Sequence, residues 1–225
     1  MRICIIVPTL NEEAEIERTL AALGRVEGDT RIVVADGGST DSTVDSARRF
    51  ADTVLTAPRG RGSQMHAGAM AAPGDVLWFV HADTLPPERA AREIEQALED
   101  PAVAGGNFSL AFDGPGRAAR QLTAVYPWLR LLGLFYGDSG IFVRRSVYMA
   151  AGGFRAFPLF EDLDFVRRVN RLGRFVHLGC ELTTSSRRFE NRNFGAVWVN
   201  WIALQLLYWA GVSPHLLARW YRHAR

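Results

Sequence analysis

Three short runs rich in valine and isoleucine, Ile3 to Val7, Arg31 to Ala35 and Asp75 to Val80, punctuate the first third of the chain without polar alternation. Strands written this way are buried on both faces, as in a parallel sheet covered by helices on each side. Between the first two runs, Ile16, Leu20 and Leu23 are spaced four and three apart, which makes one apolar helix face closed by Gly24. Val44, Ala47 and Phe50 repeat that face after the second run. Thr53 to Leu55 reads as a further short strand, and Gly60 to Ala72 as a third helix. The recurring order of strand, loop and helix implies an open, Rossmann-like α/β sheet, mostly parallel, with helices on both faces.

The second half is less regular. Ala102 to Phe112 reads as a strand pair or one long bent strand, with Gly105-Gly106 marking a bulge or a close approach. Tyr136 to Gly140 leads into the short strand Ile141 to Val143, and Glu161 to Leu172 reads as a helix with Leu163, Val166 and Val169 inward. His177 falls on a short strand in a structural role. No linker, repeat or low-complexity stretch divides residues 1–225, so one domain is expected, with 194–225 as an apolar helical end. The 225 residues, 48% hydrophobic and 22% charged, suffice for one core. A formal net charge of +2 gives no reason to expect a nucleic-acid partner. Two cysteines, Cys4 and Cys180, are too few for a disulfide framework, and Cys4 reads as a buried reduced thiol. No signal peptide is visible, and a reducing cytoplasmic location is the simplest expectation.

In open parallel sheets ligands bind beyond the carboxyl ends of the strands. Three loops there are unusually polar: Pro8 to Glu13, Asp36 to Thr43, and His81 to Thr84. In the second, two glycines free the backbone after Asp36, and Ser39 or Asp41 can cap the next helix. Its amides suit a nucleotide, and the Asp36 carboxylate could accept from a base or ribose; a tight turn with a good cap explains the same residues. In the third, Asp83 could hold a hard cation whose remaining ligands come from phosphates and water, or could cap the turn before Pro86-Pro87. Glu161, Asp162 and Asp164 crowd a helix start, where acidic residues favour the dipole, and where one carboxylate could instead take a proton from an acceptor.

Taken in order, these segments resemble the inverting GT-A glycosyltransferases of family 2 over roughly residues 2 to 190. Tyr136-Gly137-Asp138, Phe157-Pro158-Leu159, Ser186-Arg187-Arg188-Phe189 and Gly211-Val212-Ser213-Pro214 resemble the short selenodomain-associated transferase 2 group within it. The resemblance implies a nucleotide-sugar donor, UDP first among nucleotides, held by Pro8, Thr9, Asn11, Glu12, Asp36, Gly37 and Ser39. His81-Ala82-Asp83 stands at the family's Asp-x-Asp position, with Asp83 on Mg²⁺ or Mn²⁺ and Ala82 beside the donor. Glu161-Asp162 looks like the catalytic pair, with Asp162 the base for a single displacement and Glu161 its support. Arg61 and Gln64, on the glycine-rich loop after the third strand, are expected at the donor diphosphate, and Asp138 at the donor or acceptor sugar. His81 departs from the family's first metal-motif aspartate. The Gln-x-x-Arg-Trp motif of processive synthases is absent, which argues against polymer extension. A nucleotidyltransferase would show a basic, glycine-rich loop after the first strand; here that loop is acidic and has no glycine. A non-catalytic nucleotide-sugar-binding scaffold is the other alternative, opposed by the retention of Asp83 and Asp162.

The acceptor, a small molecule or a lipid-linked group, is not written in these motifs. From Phe194 to Val212 the only strongly polar side chains are Asn200 and Gln205. A helix apolar all round belongs in a core or against lipid. Arginines on both flanks and Trp198, Trp201, Trp209 and Trp220 suit a membrane interface on the inner face, with packing on the sheet or a homodimer as the alternative.

Overall fold

The computed structural model describes residues 1–114, 123, 139–185 and 194–221, and only the backbone of residues 194–198. Its elements run β1 (Ile3–Thr9), α1 (Ile16–Leu23), β2 (Thr30–Asp36), α2 (Thr43–Ala47), β3 (Thr53–Thr56), α3 (Arg61–Ala71), β4 (Val76–Phe79) and β5 (Thr84–Leu85). There follow α4 (Ala90–Ala97), β6 (Val103–Phe112), β7 (Phe142–Arg144), α5 (Arg145–Ala150), α6 (Glu161–Val169), β8 (Arg174–Thr184), α7 (Phe194–Trp209) and α8 (Pro214–Tyr221).

The strands form one eight-stranded sheet in the order β3-β2-β1-β4-β7-β6-β8-β5. The first four are parallel, as the uninterrupted apolar runs require. β7 enters antiparallel between β4 and β6, β6 pairs parallel with β8, and the two-residue β5 closes the far edge antiparallel on β8. The sheet is therefore mixed but mostly parallel.

Side chains alternate between two cores. Ile3, Ile5 and Val7 face α1 and α4 through Leu20, Leu23 and Ile94. Cys4 and Ile6 face the other side, where Met65, Ala69, Phe165 and Val166 pack with Leu204 and Leu217 of the C-terminal helices. Helix α3 lies so close on β1 that a Cβ at Gly68 would stand 2.5 Å from Ile6 Cγ2, which leaves glycine as the residue that fits. Both cysteines are free and buried, and burial pushes both thiols up from their ordinary range.

Several expectations are refined. Ala102 to Phe112 is one strand, β6, with register shifts against β8 on either side of Gly105-Gly106-Asn107. His177 lies on a strand of 11 residues, not a short one. The Asp36 loop leads into a helix of only five residues, so Phe50 lies outside it and is exposed.

Candidate active site

The end of β1 and the loop after β2 are sewn together by short side chains. Asp36, 4% exposed, accepts through Oδ2 from the amides of Gly38 and Ser39, both at 2.9 Å, and through Oδ1 from Ser39 Oγ at 2.5 Å. Thr9 Oγ1 adds a long contact to Oδ1 at 3.5 Å, and the Gly37 amide donates to the Thr9 carbonyl at 2.9 Å. Asn11, in the left-handed region at φ 53°, donates its amide to Ser39 Oγ and accepts the Thr40 amide on Oδ1. The Glu12 amide donates to Thr43 Oγ1 at 2.8 Å. Pro8, Thr9, Asn11, Glu12, Asp36, Gly37 and Ser39 thus share one strand-end cluster, with Pro8 half-buried in β1 opposite Ala35.

Asp41 repeats the Asp36 device one turn later, accepting from the Thr43 hydroxyl and amide and from the Glu13 amide. Burial pushes its carboxyl up, but those hydrogen bonds outweigh burial and hold it below its ordinary 3.8.

Gln64, expected at the donor diphosphate, lies behind this cluster. Its buried amide donates to the carbonyls of Thr9 at 2.6 Å and Ala35 at 3.0 Å, and its Oε1 accepts from the Gly60 amide. It braces the ends of β1 and β2. Arg61 opens α3 and its Nε hydrogen-bonds Glu161 Oε1, a contact between residues a hundred positions apart. Glu161 is 1% exposed, and its Oε2 has no hydrogen-bond partner among the described residues. The approach is tight: a Cβ at Gly62 would stand 2.2 Å from the Arg155 carbonyl and 3.3 Å from Glu161 Cβ. The Arg61 loop is therefore docked on the start of α6, where Asp162, also buried, accepts from the Leu163 amide at 2.8 Å.

Phe160, just before this pair, is the second non-glycine residue of positive φ among the described residues, at φ 61°; Asn11 is the other. Left-handed backbone is costly for an aromatic residue and persists only where packing over-determines it. Phe160 is held by α7, stacked on Tyr208 at 4.8 Å between ring centroids and edge-on to Trp201 at 6.3 Å.

Asp83 follows β4 and differs from Asp36. It is 9% exposed, and no hydrogen bond or ion pair reaches its carboxylate among the described residues. Its carbonyl accepts the Ser185 amide at 3.2 Å, and Thr84 beside it pairs with Thr184 through their hydroxyls at 3.2 Å, so β8 fixes the loop. Ala82 packs into the first core and His81 is buried. No three His, Cys, Asp or Glu residues gather into a metal cage among the described residues. A single open carboxylate fits a hard cation that takes its other ligands from phosphate and water.

Asp138 lies outside the described residues, as do Tyr136, Arg187 and Arg188. Its neighbour Ser139 is buried and accepts from Asn107 Nδ2 at 2.9 Å, while Asn107 Oδ1 meets His177 Nδ1 at 2.5 Å. That polar chain, buried at Asn107 and Ser139 and exposed at His177, is not foreshadowed in the sequence, because its members are far apart. Nor was the role of Phe160, whose unusual backbone leaves no mark on residue type. A signal for Thr43 was available: an Asp-x-Thr before a helix is a capping pattern.

The profile described as Glycosyl transferase family 2 matches residues 4–162. The probable glycosyltransferase YdaM of Bacillus subtilis is 25% identical over 201 residues, which covers 78% of this chain and 48% of YdaM. The chain thus spans about half the length of that relative. The mannosyltransferase PcManGT of Pyrobaculum calidifontis, solved with GDP-Man and Mn²⁺, superposes with a TM-score of 0.69 at 23% identity, covering 91% of this chain and 61% of that one. Glucosyl-3-phosphoglycerate synthase of Mycobacterium tuberculosis, solved with Mn²⁺, UDP and glucosyl-3-phosphoglycerate, gives 0.66 at 20% identity, covering 94% and 80%. These matches do not single out the selenodomain-associated group, but they agree on the GT-A α/β fold. With the profile spanning β1 through Asp162, the chain belongs to glycosyl transferase family 2.

Proposed function

We propose that the chain, as one domain, transfers a sugar from a nucleotide-sugar donor to an acceptor hydroxyl with inversion at the anomeric carbon. UDP is the first choice of nucleotide, in keeping with the UDP of the mycobacterial neighbour. The observation that carries the reading is the Arg61 to Glu161 contact, which joins the strand-end loops to the carboxylate pair. Family membership alone would leave those two segments unconnected.

The donor nucleoside lies on the Pro8 to Glu12 and Asp36 to Ser39 cluster. Three hydrogen bonds from its own loop and a long contact from Thr9 meet the Asp36 carboxylate, so Asp36 sets the shape of the surface that the nucleoside meets. Asp83 is the residue that would hold Mg²⁺ or Mn²⁺. A cation there supplies charge neutralisation for the nucleoside diphosphate as it leaves. Asp162 takes the proton of the acceptor hydroxyl as that oxygen bonds to the anomeric carbon. The bond from that carbon to the phosphate oxygen breaks on the opposite face, and its electron pair leaves with the nucleoside diphosphate. Arg61 neutralises Glu161, so a second buried negative charge does not oppose ionised Asp162 at that helix start. Asp138 keeps the role at the donor or acceptor sugar that the family resemblance implies.

The test is Asp162→Asn, which keeps shape and removes proton acceptance. Transfer should fall on the order of 10²- to 10⁴-fold, with UDP affinity by calorimetry unchanged. A variant that transfers at the parent rate, or that loses UDP binding in step, refutes the assignment. Slow metal-dependent donor hydrolysis by the parent protein separates an enzyme from a binding scaffold.

A further inference from the structure

Helix α7 has two apolar faces with different surroundings. Its inner face enters the second core through Leu204, Trp201 and Tyr208, and Gln205 is buried with them. Its outer face carries Val199, Ile202, Leu206 and Trp209, recurring every three or four positions and between 51% and 70% exposed. One stripe of a helix at that spacing is continuous along the axis. Gly211, at φ 91°, ends the helix, with the Val212 amide returning to the Leu207 carbonyl at 3.0 Å. Helix α8 then adds Leu216 and Trp220, 42% and 57% exposed. Packing against the sheet explains the inner face and leaves the outer one unexplained. Exposed apolar surface of this extent marks a contact with something else.

Charge decides what that is. From Asn191 to Arg225 the sequence has no Asp or Glu, while Arg192, Arg219, Arg222 and Arg225 are cationic. Arg219 is exposed on α8, and Arg167, exposed on α6, lies near Tyr208 of α7. A second copy across a two-fold axis would bring this patch against itself, arginine facing arginine with no acid in the segment to pair them. A bilayer with anionic headgroups satisfies both components: acyl boundary for the apolar stripe, indoles at the headgroup level, and lipid phosphates for the arginines. No described helix is long and apolar enough to cross a membrane, so the helix would lie along the surface.

We propose that the outer face of α7, with α8, docks this protein on an anionic lipid surface. The same helix holds Phe160 from its inner side, so docking sets the Glu161-Asp162 segment about one helix diameter, ~10 Å, from the bilayer. Resting on the function proposed above, the acceptor class is then a hydroxyl group presented from a lipid.

The experiment is flotation of the full chain with phosphatidylcholine vesicles and with vesicles that also contain phosphatidylserine. The floated fraction should be on the order of tenfold or more higher with the anionic vesicles, and should drop when salt is raised. Ile202→Ser with Leu206→Ser should abolish flotation, and Arg219→Glu should reduce it. All three positions are solvent-facing, so the variants should melt with the parent. Protein that remains in the soluble fraction with both vesicles overturns the proposal, as does equal flotation with both. A dimer by sedimentation that the Ile202/Leu206 variant dissociates, without flotation, overturns it in favour of a second copy. UDP binding measured on the same samples reads the catalytic proposal separately: binding retained without flotation removes the docking surface alone.

Discussion

Asp36 ends β2 and Asp83 stands just beyond β4, both at the carboxyl edge of the parallel strands and both nearly buried, yet their carboxylates lead opposite lives. Asp36 is met by two amides and a hydroxyl of its own loop, with Thr9 beside them. The Asp83 carboxylate receives no hydrogen bond or ion pair among the described residues. A buried carboxylate that the fold satisfies is part of the architecture. One that the fold leaves unsatisfied costs stability unless a ligand completes it. The contrast divides the candidate site into a carboxylate that the fold satisfies and one that it leaves open, a division that residue type alone does not reveal.

The strongest way to break the contrast is Asp83→Ala. Calorimetry of UDP with and without Mn²⁺ should show the metal-dependent part of the affinity gone, a loss beyond the roughly 10- to 100-fold typical of an outer-shell partner. Without metal, thermal stability should hold or rise, because the variant removes a carboxylate that no hydrogen bond or ion pair satisfies among the described residues. Metal-dependent affinity equal to the parent's would end the assignment of Asp83. The converse variant, Asp36→Ala, should act on the fold. It strands the Gly38 and Ser39 amides and should cost roughly 3 kcal/mol. For a chain of this length that is a fall in Tm of ~6–12 °C. If the variant melts with the parent and only nucleotide binding suffers, Asp36 is a ligand contact after all.

The smallest effect concerns Asp41, a second self-satisfied carboxylate. Its folded pKa lies below the ordinary 3.8, so its hydrogen bonds contribute stability in full above that value. The contribution is lost as pH falls through the lower folded pKa, where the carboxylate protonates in the folded state too. Denaturant midpoints at pH ~5 and ~3 should therefore differ less in Asp41→Asn than in the parent. Equal differences would place the acid sensitivity elsewhere.

The parallel block was readable in the sequence because its strands are buried on both faces and carry uninterrupted apolar runs. The three polar loops were readable for a related reason: polar clusters directly after such runs have few places to go but the sheet edge. The contact of Arg61 with Glu161 was not, since nothing local at either residue specifies a partner a hundred positions away. The bracing contacts of Gln64 were not legible for the same reason: nothing local in a glycine-rich loop says that the Thr9 and Ala35 carbonyls take its amide. β8 was foreshortened because its outer residues, such as Arg174 and Glu181, are polar and exposed and break the apolar run. The C-terminal helices read as apolar all round, and the structure separates that band into a face inside the core and a face outside it.

The antiparallel β7 and the edge strand β5 also bear on how the chain is made. β3, β2, β1 and β4 pair among themselves within the first 79 residues, so this block can condense while later residues are still being synthesised. Strand β5 cannot, because Thr84 and Leu85 pair with Thr184 and Thr183, a closure across about a hundred residues. Until β8 emerges, the loop carrying Asp83 is tethered at β4 and lacks its second anchor at Ser185. The ribosome thus delivers both aspartates early, but Asp36 meets its hydrogen-bond partners within its own block while the Asp83 loop waits for β8, so a nascent chain settles one edge of the candidate site well before the other.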